Sequence, residues 1–139
     1  MTIFTLSLRI YGSSHNREEA CRALGVQPNE VYRAGEPVPK KFSGPKLETW
    51  PNDVFVFNSP LDGSSAFSEH LSWVCRLIEQ HDEFLADFVR KDGKVDIYCG
   101  VGSPTHINSF QLSAAQMLIL GKMQVSVFLR VVADRAFDC

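Results

Sequence analysis

The 139-residue sequence lacks any long apolar stretch. The run Met117-Leu118-Ile119-Leu120 has only four residues, whereas a membrane-spanning helix needs about 20. Near the N-terminus, polar residues such as Ser7 and Arg9 interrupt the apolar ones at every second position, and no basic segment precedes them. Neither a membrane span nor a targeting segment is therefore expected, which favours a cytoplasmic protein.

An excess of positive charge is also missing. Fourteen Lys and Arg residues face sixteen Asp and Glu residues, which gives a formal net charge of −2. A dedicated nucleic-acid binder neutralises many phosphates and usually carries a basic excess, so nucleic acid and membranes are not expected as partners. The apolar share of 45% is typical of an ordered chain, and the length predicts a single domain over residues 1–139.

Cysteine and histidine are few and scattered. None of the four cysteines belongs to a C-x-x-C pair, and the four histidines have no metal-binding spacing. Cys21, Cys75 and Cys99 stand beside apolar positions and are expected to be buried thiols, with Cys139 exposed. His70 lies beside an apolar helical stripe and is expected to be a packed histidine. Neither a metal nor an organic cofactor is expected.

Apolar periodicity predicts a chain that mixes strands and helices. A mostly antiparallel sheet with helices packed on one face, the α+β class, fits their order best. The segments 16–25 and 113–121 resemble each other and each precedes a strand, which suggests two pseudo-duplicated β-α-β halves in a ferredoxin-like variant. The predicted strands cover residues 4–10, 30–33, 53–57, 95–101 and 124–132, with an edge strand over 47–50. The predicted helices cover 16–24, 67–78 and 114–120, and a further short helix begins after Asp82 and ends before Asp92.

Capping residues and glycines predict where these elements begin and end. Ser64 or Ser65 is predicted to cap the helix that follows, Asp82 the next one, and Ser113 with Gln116 has capping-box spacing. The segment 100–104 holds two glycines and a proline and is predicted to be a loop.

No catalytic motif is recognisable. The sequence has no G-x-S-x-G, P-loop or dinucleotide-binding fingerprint. Ser103, Thr105, His106 and Asn108 crowd one predicted loop, but residues so close in sequence rarely form a triad alone. The sequence therefore names no catalytic residue and favours a protein that is not an enzyme.

A basic loop over residues 34–49 carries the first candidate binding site. Loops longer than about 12–15 residues are uncommon unless they are functional or disordered. Cations beside an aromatic ring suit an anionic ligand, so a small ligand-binding or enzymatic pocket is one hypothesis. The alternative is a solvated insertion with the tryptophan packed in the core. The candidate ligand-binding residues are Arg33, Lys40, Lys41, Lys46 and Trp50.

An acidic stretch carries the second candidate, a protein-binding surface. Glu79, Asp82, Glu83 and Asp87 place four carboxylates within nine residues. The preferred hypothesis is a non-enzymatic interaction protein, such as an immunity-like inhibitor that covers a toxin or another basic partner with this surface. A merely solvated helix face is the alternative.

A third hypothesis, a homo-oligomeric structural module, rests on the predicted helix over 114–120. It is apolar on almost every side, so it must be deeply buried or covered by a second copy. Phe128 and Val132, on the nominally outer face of the last strand, favour a homodimer in the same way.

Several short motifs resemble one bacterial family. They are Ser7-Leu8-Arg9-Ile10, Leu24-Gly25-Val26-Gln27-Pro28, Arg33-Ala34-Gly35-Glu36, Trp50, and Ser113 followed by Leu120-Gly121 and a terminal strand. Together they resemble the family named domain of unknown function 4279. The resemblance implies a small cytoplasmic α+β protein and carries no catalytic residues. The lysine-rich interval between Glu36 and Trp50 leaves open any role that this loop shares with the family.

Overall fold

In a computed structural model the chain is described at residues 2–12, 22, 24–25, 27–39, 48–91, 93–103 and 110–133. These residues contain five strands and three longer helices. The strands are β1 (Ile3–Gly12), β2 (Glu30–Tyr32), β3 (Asp53–Asn58), β4 (Lys94–Ser103) and β5 (Ser126–Ala133), and the helices are α1 (Phe67–Gln80), α2 (Asp82–Arg90) and α3 (Ala114–Lys122).

The strands form one sheet in the order β2-β3-β1-β4-β5. The pairs β2–β3, β3–β1 and β1–β4 are antiparallel, and β4–β5 is parallel. A parallel pair needs a crossover connection, and α3 lies in that connection. The predicted α+β class with a mostly antiparallel sheet is thereby confirmed.

The two predicted halves are alike in strand direction but differ in strand neighbours. β1 and β2 run parallel to each other because each is antiparallel to β3, which separates them. β4 and β5 run parallel and pair directly. The helix predicted over 16–24 lies mostly outside the described residues, within which Arg22 and Leu24 are helical.

The apolar core lies between the sheet and the helices. Successive side chains of a strand point to opposite faces, and Leu6, Leu8 and Ile10 of β1 all point to the helices, where they are at most 3% exposed. The same core holds apolar side chains of the neighbouring strands and of α1, among them Phe57, Ile97, Leu71 and Ile78. Alternation in β1 thus predicts correctly which residues enter the core.

Two of the predicted helix caps are wrong. The cap of α1 is Ala66, because the Ser64 hydroxyl and amide bind the Asp62 carboxylate at 2.7 and 2.8 Å instead. The cap of α2 is His81, and Asp82 is its first helical residue. The capping box of α3 is confirmed, since Ser113 Oγ accepts from the Gln116 amide at 3.1 Å and the Ser113 amide donates to Gln116 Oε1 at 3.0 Å.

The segment 100–103, predicted to be a loop, belongs to β4. It pairs with β5 as far as Ser103, so its glycines do not interrupt the ladder. At Gly100 a Cβ atom would lie 2.8 Å from Thr5 Oγ1 on β1. The glycine is explained by the close approach of a neighbouring side chain and not by a turn. Residues 104–109, which include most of the polar loop singled out above, lie outside the described residues.

The edge strand predicted over 47–50 is reduced to a short ladder. The Gly35 amide donates to the Trp50 carbonyl at 2.8 Å, and the Trp50 amide donates to the Glu36 carbonyl at 3.0 Å. Pro37 and Thr49 form an isolated antiparallel bridge. Gly35 has a φ of +87°, which glycine adopts at little cost. The segments 33–39 and 48–50 thus form a hairpin base beside β2, and the intervening 40–47 lies outside the described residues.

The two described cysteines, Cys75 and Cys99, are buried free thiols, as predicted. Burial raises the pKa of both, that of Cys99 to about 12. Cys21 and Cys139 lie outside the described residues. Across the described part of the chain, no helix is both long enough and apolar enough to span a membrane.

Candidate functional site

The sheet face opposite the helices buries polar side chains. Ser7 and Arg9 of β1 and Asp96 of β4 are 8%, 5% and 2% exposed. Arg9 and Asp96 are direct cross-strand partners, so their side chains point to the same face. Buried charges are costly unless they are paired or bound, so this face differs from an ordinary solvated sheet surface.

A second, smaller apolar cluster covers one side of this face. Trp50 from the hairpin base packs on Val54 and Val56 of β3, with Tyr11 and Tyr32 at its edge. The Trp50 and Tyr32 rings are stacked with centroids 5.0 Å apart. Trp50 is only 3% exposed, so it supports the Tyr32 ring from behind.

A cleft of about 460 Å³ opens beside this cluster, near the end of β3. Its volume falls within the range of about 300–1,000 Å³ that is usual for small-molecule sites. Strands β1 to β4, the loop 59–63 and helix α1 all contribute to its wall. The side chains with the most useful chemistry there are Arg9, Glu30, Tyr32, Ser59, His70 and Tyr98.

Arg9 dominates one end of the cleft. Its guanidinium carbon lies 4.2 Å from the centre of the Tyr98 ring, a cation–π contact. Asp96 stands across from it on β4 but does not line the cleft. Burial raises the pKa of the Asp96 carboxyl, and the positive charge of Arg9 opposes that rise. The two groups therefore form a charge pair in a poorly solvated place.

Two tyrosines near Arg9 remain protonated at neutral pH. Burial, reinforced by the charge of Asp96, raises the pKa of Tyr11 to about 12. Burial also raises the pKa of Tyr32 to about 12, together with its hydrogen bond to Glu30. In that bond the Tyr32 hydroxyl donates to Glu30 Oε2 at 2.5 Å. The Glu30 carboxylate is thereby held against the cleft wall.

His70 and Ser59 lie at the other end. His70 is 1% exposed, which confirms the predicted packed histidine. Its Nε2 lies 3.1 Å from the Asp62 carbonyl oxygen and its Nδ1 lies 2.8 Å from Ser59 Oγ. A carbonyl oxygen can only accept, so Nε2 carries the hydrogen, and in this tautomer Nδ1 accepts from the Ser59 hydroxyl. Both bonds hold the loop that walls the cleft.

Of the residues proposed for the basic-loop site, the structure describes only Arg33 and Trp50. Arg33 has a side chain 48% exposed, with Nη1 3.8 Å from Asp53 Oδ2, and neither Arg33 nor Trp50 lines the cleft. Lys40, Lys41 and Lys46 lie outside the described residues. Trp50 borders the cleft only through Tyr32, which stacks on it and does line the wall.

The acidic stretch divides into two parts. The Asp87 carboxylate binds Arg90 Nη2 at 2.5 Å and Lys91 Nζ at 3.0 Å, and these contacts lower its pKa. Glu83 is exposed at the start of α2. Glu79 and Asp82 instead line a groove of about 210 Å³ between α1 and α3.

Helix α3 is neither fully buried nor fully covered. Leu120 is 4% exposed and faces the core, whereas Met117 and Leu118 are 54% and 73% exposed. On β5, Phe128 and Leu129 are 39% and 45% exposed. Cover of this surface by a second copy therefore stays a prediction. Among the described residues no group of three or more His, Cys, Asp or Glu side chains is placed to hold a metal ion.

Sequence reasoning missed the cleft because its residues are far apart in the chain. Arg9 occupies a polar position of an alternating strand, which in isolation indicates a solvent-facing side chain. The useful signal is that polar residues recur on this face of both central strands, at Ser7, Arg9 and Asp96. Strand register, which aligns these positions, is not visible in the sequence.

The family described as "Domain of unknown function (DUF4279)" matches residues 2–131, nearly the whole chain. This confirms the resemblance seen in the motifs. No curated protein matches the chain, and no solved structure does.

Proposed function

Because the chain belongs to the DUF4279 family, which is defined by a domain of unknown function, we propose a function from its geometry: it binds a small molecule that carries an anionic group. The binding site is the cleft near the end of β3, which is lined both by Arg9 and Tyr98 of the open face and by His70 of α1. The observation that carries this proposal is the placement of Arg9, a nearly buried arginine that lines the cleft.

The orientation of Arg9 suits a carboxylate or another planar anion. Its guanidinium carbon lies over the Tyr98 ring, 4.2 Å from the ring centre, and a guanidinium carries all its N–H donors along its edge. That edge is the part of arginine that binds carboxylates with two parallel hydrogen bonds. Asp96, which does not line the cleft, offsets part of the Arg9 charge from outside the cleft wall.

Tyr98 and Tyr32 favour a ligand that also has a flat, apolar part. Both rings line the cleft, and the stack on Trp50 backs the Tyr32 ring. Aromatic side chains fixed in this way offer contact area with little loss of conformational freedom. The proposal places the protein in the bacterial cytoplasm, a reducing compartment that suits its buried free thiols.

Titration with three matched probes tests the proposal. Benzoate, benzamide and benzamidine share one ring and differ in charge, so protein amide chemical shifts report which charge the cleft prefers. We expect benzoate to shift the amide signals around the cleft at millimolar concentration. The neutral and cationic probes should need concentrations at least about tenfold higher to give the same shifts.

Two conservative variants locate the effect. Arg9→Lys keeps the charge but removes the planar fork, and we expect it to weaken benzoate binding by about tenfold or more. Arg33→Lys changes a half-exposed arginine outside the cleft and serves as the matched control. Equal shifts with all three probes, or equal losses in both variants, would reject the proposal.

A second candidate function is inhibition of a basic protein partner, as in an immunity-like protein. The observation that favours it is the groove between α1 and α3, where Glu79 and Asp82 stand beside the exposed Leu118. Charges at the rim of such a surface act mainly by steering association.

This candidate makes a kinetic prediction that differs from the first one. Association with a basic partner should slow as salt rises, and replacing Glu79, Asp82, Glu83 and Asp87 with neutral residues should lower the on-rate without unfolding the chain. Replacement of Asp87 alone is the internal control, because Arg90 and Lys91 already neutralise that carboxylate. A partner whose association ignores both salt and these replacements would reject it.

A further inference from the structure

The hydrogen bond between Ser59 and His70 has the donor and acceptor arrangement of an activated nucleophile. The Ser59 hydroxyl donates to His70 Nδ1 at 2.8 Å, and the opposite ring nitrogen is held by the Asp62 carbonyl at 3.1 Å. A histidine base must present a lone pair to the hydroxyl and be oriented by a third group. A backbone carbonyl supplies that orientation here, and it fixes the tautomer.

The surroundings of this pair suit a reaction more than a purely structural contact. Ser59 and His70 both line the 460 Å³ cleft, so a molecule in the cleft meets the hydroxyl. His70 itself is 1% exposed and packs near the Phe4 ring, so the position of its imidazole is fixed. The Leu61 amide donates to Ser59 Oγ at 3.3 Å, which holds the hydroxyl oxygen in place.

We propose that Ser59 is a nucleophile, with His70 as its general base, for acyl transfer from small carboxylic esters bound in the cleft. Ser59 Oγ bonds to the ester carbonyl carbon while its proton moves to His70 Nδ1. The tetrahedral intermediate then expels the alcohol, which takes the proton from Nδ1 and leaves an acyl-serine. Water attacks the acyl-serine with His70 Nδ1 again as base, and Ser59 and a carboxylic acid are regenerated.

Arg9 connects this activity with the proposed function. The product of ester hydrolysis is a carboxylate, which is the class of anion that Arg9 is placed to bind in the same cleft. The choice of substrate class therefore rests on the proposed function, whereas the reactivity of Ser59 does not. The two proposals accordingly need separate readouts.

Covalent labelling with a biotinylated alkyl fluorophosphonate tests the reactivity of Ser59. In this reaction Ser59 Oγ bonds to phosphorus, fluoride leaves, and the serine proton passes to His70 Nδ1. We expect one adduct per chain by intact-protein mass spectrometry, and peptide mapping should assign it to Ser59.

Three variants give the test its controls. Ser59→Ala should abolish the adduct, and His70→Gln should slow labelling by about 100-fold or more, as removal of a general base does. Ser64→Ala is the matched control because Ser64 lies in the same loop but bonds to the Asp62 carboxylate, and it should label within about twofold of the wild type. If His70→Gln fails to fold, as judged by circular dichroism, the Ser59 and Ser64 variants still show whether the adduct forms on Ser59.

Absence of an adduct, or an adduct on another residue, would overturn the proposal and leave the Ser59–His70 bond as a clamp on the loop. Loss of benzoate binding in Arg9→Lys with unchanged labelling would retain the nucleophile and support the anion site. Labelling at Ser59 with no preference for benzoate over its neutral and cationic analogues would retain the nucleophile and reject the anion site.

Discussion

The two faces of the sheet bury side chains of opposite character. The face under the helices buries apolar side chains such as Leu8 and Phe57, both at most 2% exposed. The other face buries Arg9 and Asp96 to nearly the same degree. Apolar burial stabilises a fold directly, whereas a buried ion pair roughly balances its own desolvation cost. The difference indicates that apolar stabilisation is concentrated on the helix face, whereas the open face carries buried charged groups.

The largest effect should follow from a cavity on the helix face. Leu8→Ala removes buried methyl groups at a 0% exposed position, and we expect the free energy of unfolding to fall by about 2–5 kcal/mol. Ser7→Ala, one residue away on the open face, should cost less than about 1 kcal/mol. Urea denaturation measures the free energy of unfolding of both variants. Equal decreases in the two variants would contradict the view that the helix face contributes more to stability than the open face.

The next largest effect should come from breaking the charge pair on the open face. Arg9→Met leaves the buried Asp96 carboxyl without the nearby positive charge of Arg9, so we expect a loss of about 1–3 kcal/mol. The double variant Arg9→Met with Asp96→Asn should recover much of that loss. A double-mutant cycle by urea denaturation measures this coupling, and a coupling energy near zero would show that the two side chains do not act as a pair.

An effect of intermediate size on the free energy of unfolding should come from Tyr11 at alkaline pH. The pKa of Tyr11 is raised from 10.0 to about 12 in the folded chain. As the pH rises, the Tyr11 hydroxyl therefore loses its proton at a lower pH in the unfolded chain than in the folded chain. The contribution of Tyr11 to stability is therefore fully present below pH 10 and is lost as the pH rises from about 10 to 12.

Tyr11→Phe, which cannot ionise, isolates this contribution. We expect the wild type to lose more stability between pH 10 and 12 than Tyr11→Phe does, as measured by urea denaturation at each pH. Phenolate absorbance of the folded wild type should show two late-titrating tyrosines, Tyr11 and Tyr32, and Tyr11→Phe should leave one. Identical alkaline losses in both proteins would show that Tyr11 is not buried as described.

The smallest effect on stability should come from the outer side of α3. Leu118 is 73% exposed, so Leu118→Gln should change the free energy of unfolding by less than about 0.5 kcal/mol. If a second copy covers α3 and β5, as the sequence predicts, the wild type should sediment as a dimer and this variant as a monomer. A wild type that sediments as a monomer at all micromolar concentrations would contradict the predicted dimer.

Local patterns predict this fold well where one residue spacing decides the outcome. Alternation in β1 identifies Leu6, Leu8 and Ile10 as core residues, and the Ser113–Gln116 spacing identifies the start of α3. Prediction is wrong where a local signal competes with a second local contact, as at Ser64, or with a tertiary contact, as at Gly100. The Ser64 hydroxyl is taken by Asp62, and Gly100 continues a strand because Thr5 approaches it closely.

The candidate site is the least predictable part of the molecule. Trp50 is predicted to bind a ligand because it is an aromatic residue near lysines. In the structure its ring is buried and stacks on the Tyr32 ring. Arg9 and His70, which line the cleft, have no local signature. Their importance depends on which segments the fold brings beside them, namely β4 for Arg9 and the loop 59–63 for His70.

By itself the sequence determined the class of the fold, the family, the composition of the apolar core and the burial of Cys75, Cys99 and His70. These properties follow from hydrophobic periodicity and short motifs, which act over a few residues. Only the tertiary structure decided the strand order, the polar burial on the open face, the cleft and the Ser59–His70 contact. Strand register and the approach of distant segments arise from the packing of the whole chain, so no spacing of neighbouring residues encodes them.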